Sequence, residues 1–407
     1  MNNRELFHAT MLGENGGQLL HIEQGFCVPY KRWMDQGMPT HLDCRGRGCP
    51  TEVESLYDHF NLSGFHCFPE IGSINEYRCP PFVGGLYSDD GERVTYMNGL
   101  GNTVREISHR EKVRRDDGTS VGGLIHEVDF AVRCRADYEG LREEYTGNVK
   151  DRVGMEGFEE GAAVANAQGD FPVSFFVHGP FAFLRDVLGT ENAMAAPYED
   201  PAWVRMMLRD HLNVCMAVAE PLTRKVRYDF SFVWEDCCGK SGPFMSPLIF
   251  DDAFAWWYRE WKDFTVSVGV PWTNLDSDGN VGPLIPQWYE CGIDLIHPWE
   301  VNGVDMLKFA EAYPKARMMG GIYKHMFEPL SLSQVGRFDT ADAYEAIDRE
   351  LRRVVGPMRK RGYYFPALDH GAHWEIGYRE YRHYCDRMMD YGKANTVTRA
   401  IRRAPTA

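Results

Sequence analysis

The chain has 407 residues, 44% of them hydrophobic, enough for a large core in one or two domains. A formal charge of −15 argues against nucleic-acid binding, where basic patches supply most of the affinity. No run of about 18 apolar residues predicts a membrane span, and MNNRELFHAT has no basic-then-apolar leader pattern.

Residues 1–110 read as irregular, with frequent Gly, Pro, Cys and His. The stretches 41–50 and 66–81 read as loops. Glu92–Glu106 alternates as a hairpin would, and Gly122–Arg133 reads as a further strand. The pattern changes near Asp137. Tyr138–Lys150 and Val153–Ala167 read as helices, then Phe171–Val177 as an apolar strand ended by His178-Gly179-Pro180, and Phe183–Leu188 as a helix. Glu199-Asp200-Pro201 places acid and proline at the start of a long amphipathic helix, Pro201–Arg224.

Strand and helix then alternate. The strands are Phe230–Trp234, Trp272–Leu275, Leu295–Ile296, Arg317–Met319 and Tyr363–Leu368. The intervening helices are Pro247–Val268, Leu284–Cys291, Asp305–Ala312 and Thr340–Lys360, and Tyr378–Tyr391 is the last helix. Such alternation implies a parallel sheet with right-handed crossovers. The expected fold is a (βα)8-type TIM barrel over 136–395, with 1–135 as an irregular N-terminal region and substrate lid, and 396–407 as a tail.

The strands end in polar residues, as barrel active sites do. Glu235 and Asp236 follow one strand, Asp276 and Asp278 the next, and His297 and Glu300 the third. Gly320-Gly321 precedes Tyr323 and Lys324, and Asp369-His370 ends the last strand. Two acids at alternate positions of one strand end point the same way, into the barrel mouth. The structural alternative for each is ordinary: an Asx turn or helix cap for Asp276 or Asp278, a salt bridge for Lys324, packing for Tyr323. Eleven scattered cysteines point to a reduced, cytoplasmic protein, and Cys237-Cys238 read as buried thiols. Those near the N-terminus match no common metal-binding spacing.

Several of these segments, taken together, resemble the uroporphyrinogen decarboxylase superfamily. They are the Gln36-Gly37 turn after VPYKRWM, HGPFAFLRDVLG (178–189), the EDP-led helix and FVWEDCCGKSGPFMSP (232–247). LDSDGNVGPLIPQWYECGIDLIHPWEVNGVDM (275–306), GGIYK (320–324) and PALDHGAHWEIGYREYRHY (366–384) complete the set. The resemblance implies a βα-barrel with one of two chemistries: porphyrinogen decarboxylation, or methyl transfer between a small substrate and a corrinoid protein, usually with zinc. The decarboxylases carry an arginine before the Gln-Ala-Gly turn that holds substrate carboxylates. Asp35 stands there in this chain, which argues against that branch.

The zinc methyltransferases carry His-x-Cys where Asp276-Ser277-Asp278 stands, and a further Cys where Asp369-His370 stands. In the branch that demethylates methoxylated aromatics, Glu220 and Glu235 fit the first ligand spacing, but Trp256 replaces the histidine. The expectation is therefore methyl transfer from a small methoxylated or methylated substrate to a corrinoid carried by a partner protein. Asp276, Asp278 and His370 are the expected zinc ligands. Glu235, His297, Glu300, Tyr323 and Lys324 are the expected catalytic groups, assisting the leaving group as acids or countercharges. A lyase of a small aromatic or carboxylic acid and a non-catalytic corrinoid-system subunit stay as alternatives, and a homodimer is left open.

Overall fold

The computed structural model describes residues 1–23, 30–42, 56–60, 62, 70–107, 126–154, 171–329, 341–372 and 376–393. Its centre is one eight-stranded sheet. The sequence-expected strands β7 (Ser174–His178), β8 (Phe230–Trp234), β11 (Trp272–Asp276), β12 (Leu295–His297), β13 (Arg317–Met319) and β14 (Tyr364–Phe365) lie side by side in chain order, all parallel. A seventh parallel strand, β1 (Glu70–Ile74), pairs with β7, and the two-residue β6 (Val153–Gly154) pairs antiparallel with β1.

Two expectations are corrected here. Residues 66–81 are not all loop, because β1 lies within them and belongs to the main sheet. Val153–Gly154 is strand rather than helix; the rest of that expected helix lies outside the described residues. The glycine and serine within EIGSI give β1 no apolar run, which hid it. Pairing with β7 supplies what its own propensity lacks.

One face of the sheet packs against the crossover helices. Phe175, Val177, Ser231, Val233, Thr273, Leu275 and Ile296 alternate onto it, and all are buried. The helices include α3 (Pro180–Leu188), α4 (Pro201–Thr223), α5 (Ala255–Ser267), α8 (Ala343–Arg361) and α9 (Tyr378–Lys393). Helix α4 starts as the sequence implies, with Asp200 accepting from the Trp203 N–H at 2.9 Å. Its residues Val204, Leu208, His211, Cys215, Val218 and Leu222 are buried, as one face of a 3.6-residue period should be.

The other face curls around the N-terminal helix α1 (Asn3–Leu12), which the sequence reading passed over. Asn2 and Glu5 form a reciprocal capping box there, with bonds of 2.8 and 3.0 Å. The Phe7 ring lies 5.3 Å from Phe230 in β8 and 5.4 Å from Phe365 in β14. In a flat sheet those strands would sit about 19 Å apart, four spacings of about 4.8 Å. One ring can touch both only if the sheet is strongly curved. Ile22 also donates its N–H to Pro366 O beside the end of β14. Among the described residues the hydrogen-bonded sheet runs from β14 to β6 without closing into a ring.

The expected hairpin is present as β3 (Arg93–Met97) and β4 (Thr103–Ile107). It is part of a separate antiparallel sheet with β2 (Gly85–Asp89) and β5 (His126–Asp129). Among the described residues no helix is long and apolar enough to cross a membrane.

Candidate active site

Register builds the site. At the C-terminal ends of four neighbouring strands, His178 pairs with Trp234, Trp234 with Asp276, and Asp276 with His297. Residues in register on parallel strands share a face, so these four side chains form a row across the inner face of the curved sheet. The next row down is Phe176, Phe232, Asn274 and Leu295. Phe176 stacks on Phe232 at 5.5 Å, and Phe232 lies 5.4 Å from the His297 ring, so the polar row stands on an aromatic floor. Asn274 interrupts that floor: it is buried, and among the described residues neither polar atom of its amide has a hydrogen-bond partner.

Asp276 is the acid of the upper row, with 19% of its side chain exposed, and His297 beside it is fully buried. The Asp276 carboxylate lies 3.5 Å from His297 Nδ1. Burial, then the nearby charges of Asp278 and Asp236, raise the Asp276 pKa well above the usual carboxylate range. Burial also pushes His297 down to about 3. Both shifts act against an ion pair between the two groups.

Above the row, loops bring further charges together. Asp278 Oδ2 is 3.3 Å from His370 Nε2, joining the ends of β11 and β14. Burial opposes ionisation of Asp278, but hydrogen bonding and attraction to His370 outweigh it and hold its pKa low. The same contact raises His370. Glu300 accepts the Gly279 N–H at 2.9 Å and lies 3.5 Å from Lys324 Nζ. Asp369 accepts the N–H groups of Lys324 and Val301 at 2.8 and 3.0 Å, pinning two loops. Burial raises Asp369 to about 6.

The structure thus brings Asp276, Asp278, His297, Glu300, Lys324 and His370 to one edge of the sheet. Tyr323 is nearby but buried; its N–H goes to Glu350, and Asn302 Nδ2 lies 3.5 Å from its hydroxyl. Glu235 turns the other way. It is buried, accepts the Phe181 N–H at 3.0 Å at the start of α3, and packs so closely on Gly179 that an added Cβ would lie 1.5 Å from Oε2. Burial raises it to about 7, against the Tyr258 hydroxyl and the Phe181 N–H. Glu220 is on the surface, bonded to Arg224.

Backbone geometry shapes the mouth. Asp236 and Trp299 have φ of 47° and 57°, just after β8 and β12. Gly320, at φ 108°, lets the chain after β13 pass Pro298, whose carbonyl would lie 1.9 Å from an added Cβ. Arg185 of α3 donates to Asp236 O at 2.7 Å and lies 4.8 Å over the Trp234 ring, bracing that rim.

A second polar cluster, which no local sequence pattern marks as a whole, lies behind His178. Glu76, two residues past β1, accepts the N–H of His178 at 2.6 Å and lies 2.8 Å from its Nδ1. Behind it, Cys215 Sγ and His211 Nε2 of α4 lie 3.5 Å apart. One ligand atom from each of Glu76, His211 and Cys215 falls within 4.8 Å of the others. The available signal was the spacing of four between His211 and Cys215, which places both on one helical face. Among the described residues this is the trio of potential donors gathered that closely, rather than Asp276, Asp278 and His370.

The fold and strand-end site define an α/β protein built on a curved, mostly parallel sheet, with a cluster of charged groups at the carboxyl ends of its strands. No protein-family model matches the chain, and no curated protein does. Among solved structures it is similar to a methyltransferase from Methanosarcina mazei, with a TM-score of 0.59 and 14% identity, covering 96% of this chain and 99% of that one. At that identity the likeness shows a shared fold over essentially the whole length.

Proposed function

We propose that the protein is a methyltransferase on a βα-barrel, moving a methyl group from a small methoxylated or methylated substrate to a reduced corrinoid carried by a separate protein. The observation that carries this reading is the placement of Asp276 at the carboxyl edge of the sheet, in register with Trp234 and His297 and 3.5 Å from His297 Nδ1, where burial and neighbouring acids raise its pKa. The shared fold with a methyltransferase is consistent with it. The curvature of the sheet around Phe7 supports barrel closure.

The chemical difficulty is the leaving group, because an alkoxide or phenoxide departs poorly unless protonated. As the C–O bond breaks and the methyl carbon bonds to the reduced acceptor, Asp276 gives its proton to the leaving oxygen. The product is an alcohol or phenol, and Asp276 is left as carboxylate. His297, whose Nδ1 lies 3.5 Å from the acid, flanks it on the buried side and limits its orientation. The Asp278–His370 pair and Lys324 face the same mouth and orient polar groups of the substrate. The family resemblance would give Asp276, Asp278 and His370 to a metal, but the distances favour proton chemistry at Asp276 and an ion pair at Asp278–His370.

The test mixes the protein with chemically reduced cobalamin and a panel of methoxylated aromatics and alcohols, following formation of methylcobalamin by its absorbance. Asp276→Asn should lower the rate on the order of 10²- to 10⁴-fold, the usual range for a positioned acid. Carbon dioxide release from an aromatic acid, with no methyl transfer on any substrate, would overturn the reading in favour of a lyase.

A further inference from the structure

We propose that Glu76, His211 and Cys215 form a zinc site outside the strand-end cluster, tying α4 to the chain beyond β1. Three geometric observations converge on it. First, Zn–S near 2.3 Å and Zn–N near 2.0 Å at a tetrahedral angle place sulfur and nitrogen about 3.5 Å apart. Cys215 Sγ and His211 Nε2 stand 3.5 Å apart. The Glu76 carboxylate completes the trio from the chain just past β1.

Second, His211 is placed as a ligand and poorly placed as anything else. It is buried between the Phe183 ring at 4.2 Å and the Trp257 ring at 5.6 Å, both nearly parallel to it. Among the described residues its Nδ1 has no hydrogen-bond partner, and its Nε2 has Cys215 Sγ at 3.5 Å. A buried polar ring with one weak contact is costly unless it serves a ligand.

Third, the charges balance. A buried carboxylate and a thiolate together neutralise a divalent ion, so the loaded cluster carries no net charge into the core. His178 binds one Glu76 oxygen, the arrangement that orients metal-ligating carboxylates elsewhere. On binding, the Cys215 S–H bond breaks, sulfur bonds to the metal, and the proton leaves to solvent. One proton is released per ion.

His178 also belongs to the register row of the strand ends, so the ion would anchor one end of that row through Glu76.

The experiment strips the purified full-length protein with chelator and titrates it with Co²⁺. Cobalt bound by a thiolate gives an intense near-ultraviolet charge-transfer band, which an oxygen-and-nitrogen site cannot produce. The expected result is saturation at about one cobalt per chain, competition by Zn²⁺, and loss of the band in Cys215→Ser. The band should persist in the Asp276→Ala/Asp278→Ala double variant. Absence of the band in wild type overturns the proposal and leaves a thiol–imidazole hydrogen bond. Metal that survives Cys215→Ser but is lost in the double variant also overturns it, assigning the ion to the strand-end cluster. If Cys215→Ser does not fold, Glu76→Gln replaces it, with weakened cobalt affinity expected and unchanged affinity contradicting the site.

Discussion

At Glu235 the environment works against ionisation. The carboxyl group is buried, and its pKa rises from 4.5 to about 7. A folded pKa above the unfolded one means the folded state holds the proton more tightly. The stability this contributes is fully present below about pH 4.5 and is lost as pH rises through about 7. Glu235→Gln removes that dependence, so its thermal midpoint should exceed the wild type's at pH 8 and approach it as pH falls to about 4. The difference is on the order of 3 kcal/mol at most. Equal midpoints at pH 8 would show that Glu235 is not the buried acid described. His370 offers the opposite case. Its pair with Asp278 is half exposed (48% and 39%), so His370→Ala should change stability by less than about 1 kcal/mol. Methyl transfer should nonetheless fall on the order of 10-fold or more if the pair positions substrate. Melting and turnover measured on one preparation separate the two effects.

Among the elements, the turn after β13 is the most exacting. Gly320 combines φ 108° with a Pro298 carbonyl that would lie 1.9 Å from a Cβ. Gly320→Ala must therefore push the β12 and β13 loops apart, and those loops carry Glu300 and Lys324. A loss on the order of 2 kcal/mol or more, with impaired turnover, is the expected outcome in denaturant unfolding and activity assays. Legibility differed sharply between elements. Strands β7, β8, β11, β12 and β13 announced themselves as apolar runs ending in His, Asp, Glu or Gly, because buried parallel strands need apolar residues on both faces. The polar ends Asp276, Asp278, His297 and His370 were legible for the same reason. Strand β1 was not: EIGSI has no such run and depends on β7 for its pairing. Helix α1 was missed although Asn2 and Glu5 spell a capping box. Glu76 had no signal at all, since 135 and 139 residues separate it from His211 and Cys215.

For the whole molecule, the decisive feature is the curvature of the sheet around α1. Phe7 is buried against both Phe230 and Phe365, and Arg4 and His8 bind Asp229 at 3.0 and 2.7 Å. Phe7→Ala should cost about 3–5 kcal/mol by leaving a cavity where distant strands meet. Equilibrium unfolding measures this, and a loss below about 1 kcal/mol would mean the strands do not depend on that ring. The sequence by itself determined the alternation of strand and helix from Phe171 onward, the location of polar groups at strand ends, and the start of α4. These are local consequences of hydrophobic period and capping. Only the tertiary structure decided which strand-end groups meet. Register aligned His178, Trp234, Asp276 and His297, curvature brought His370 to Asp278, and close packing at Gly179 turned Glu235 toward the N-terminus of α3. It also joined Glu76 to His211 and Cys215. Such choices depend on distances between segments far apart in the chain, which no local pattern encodes.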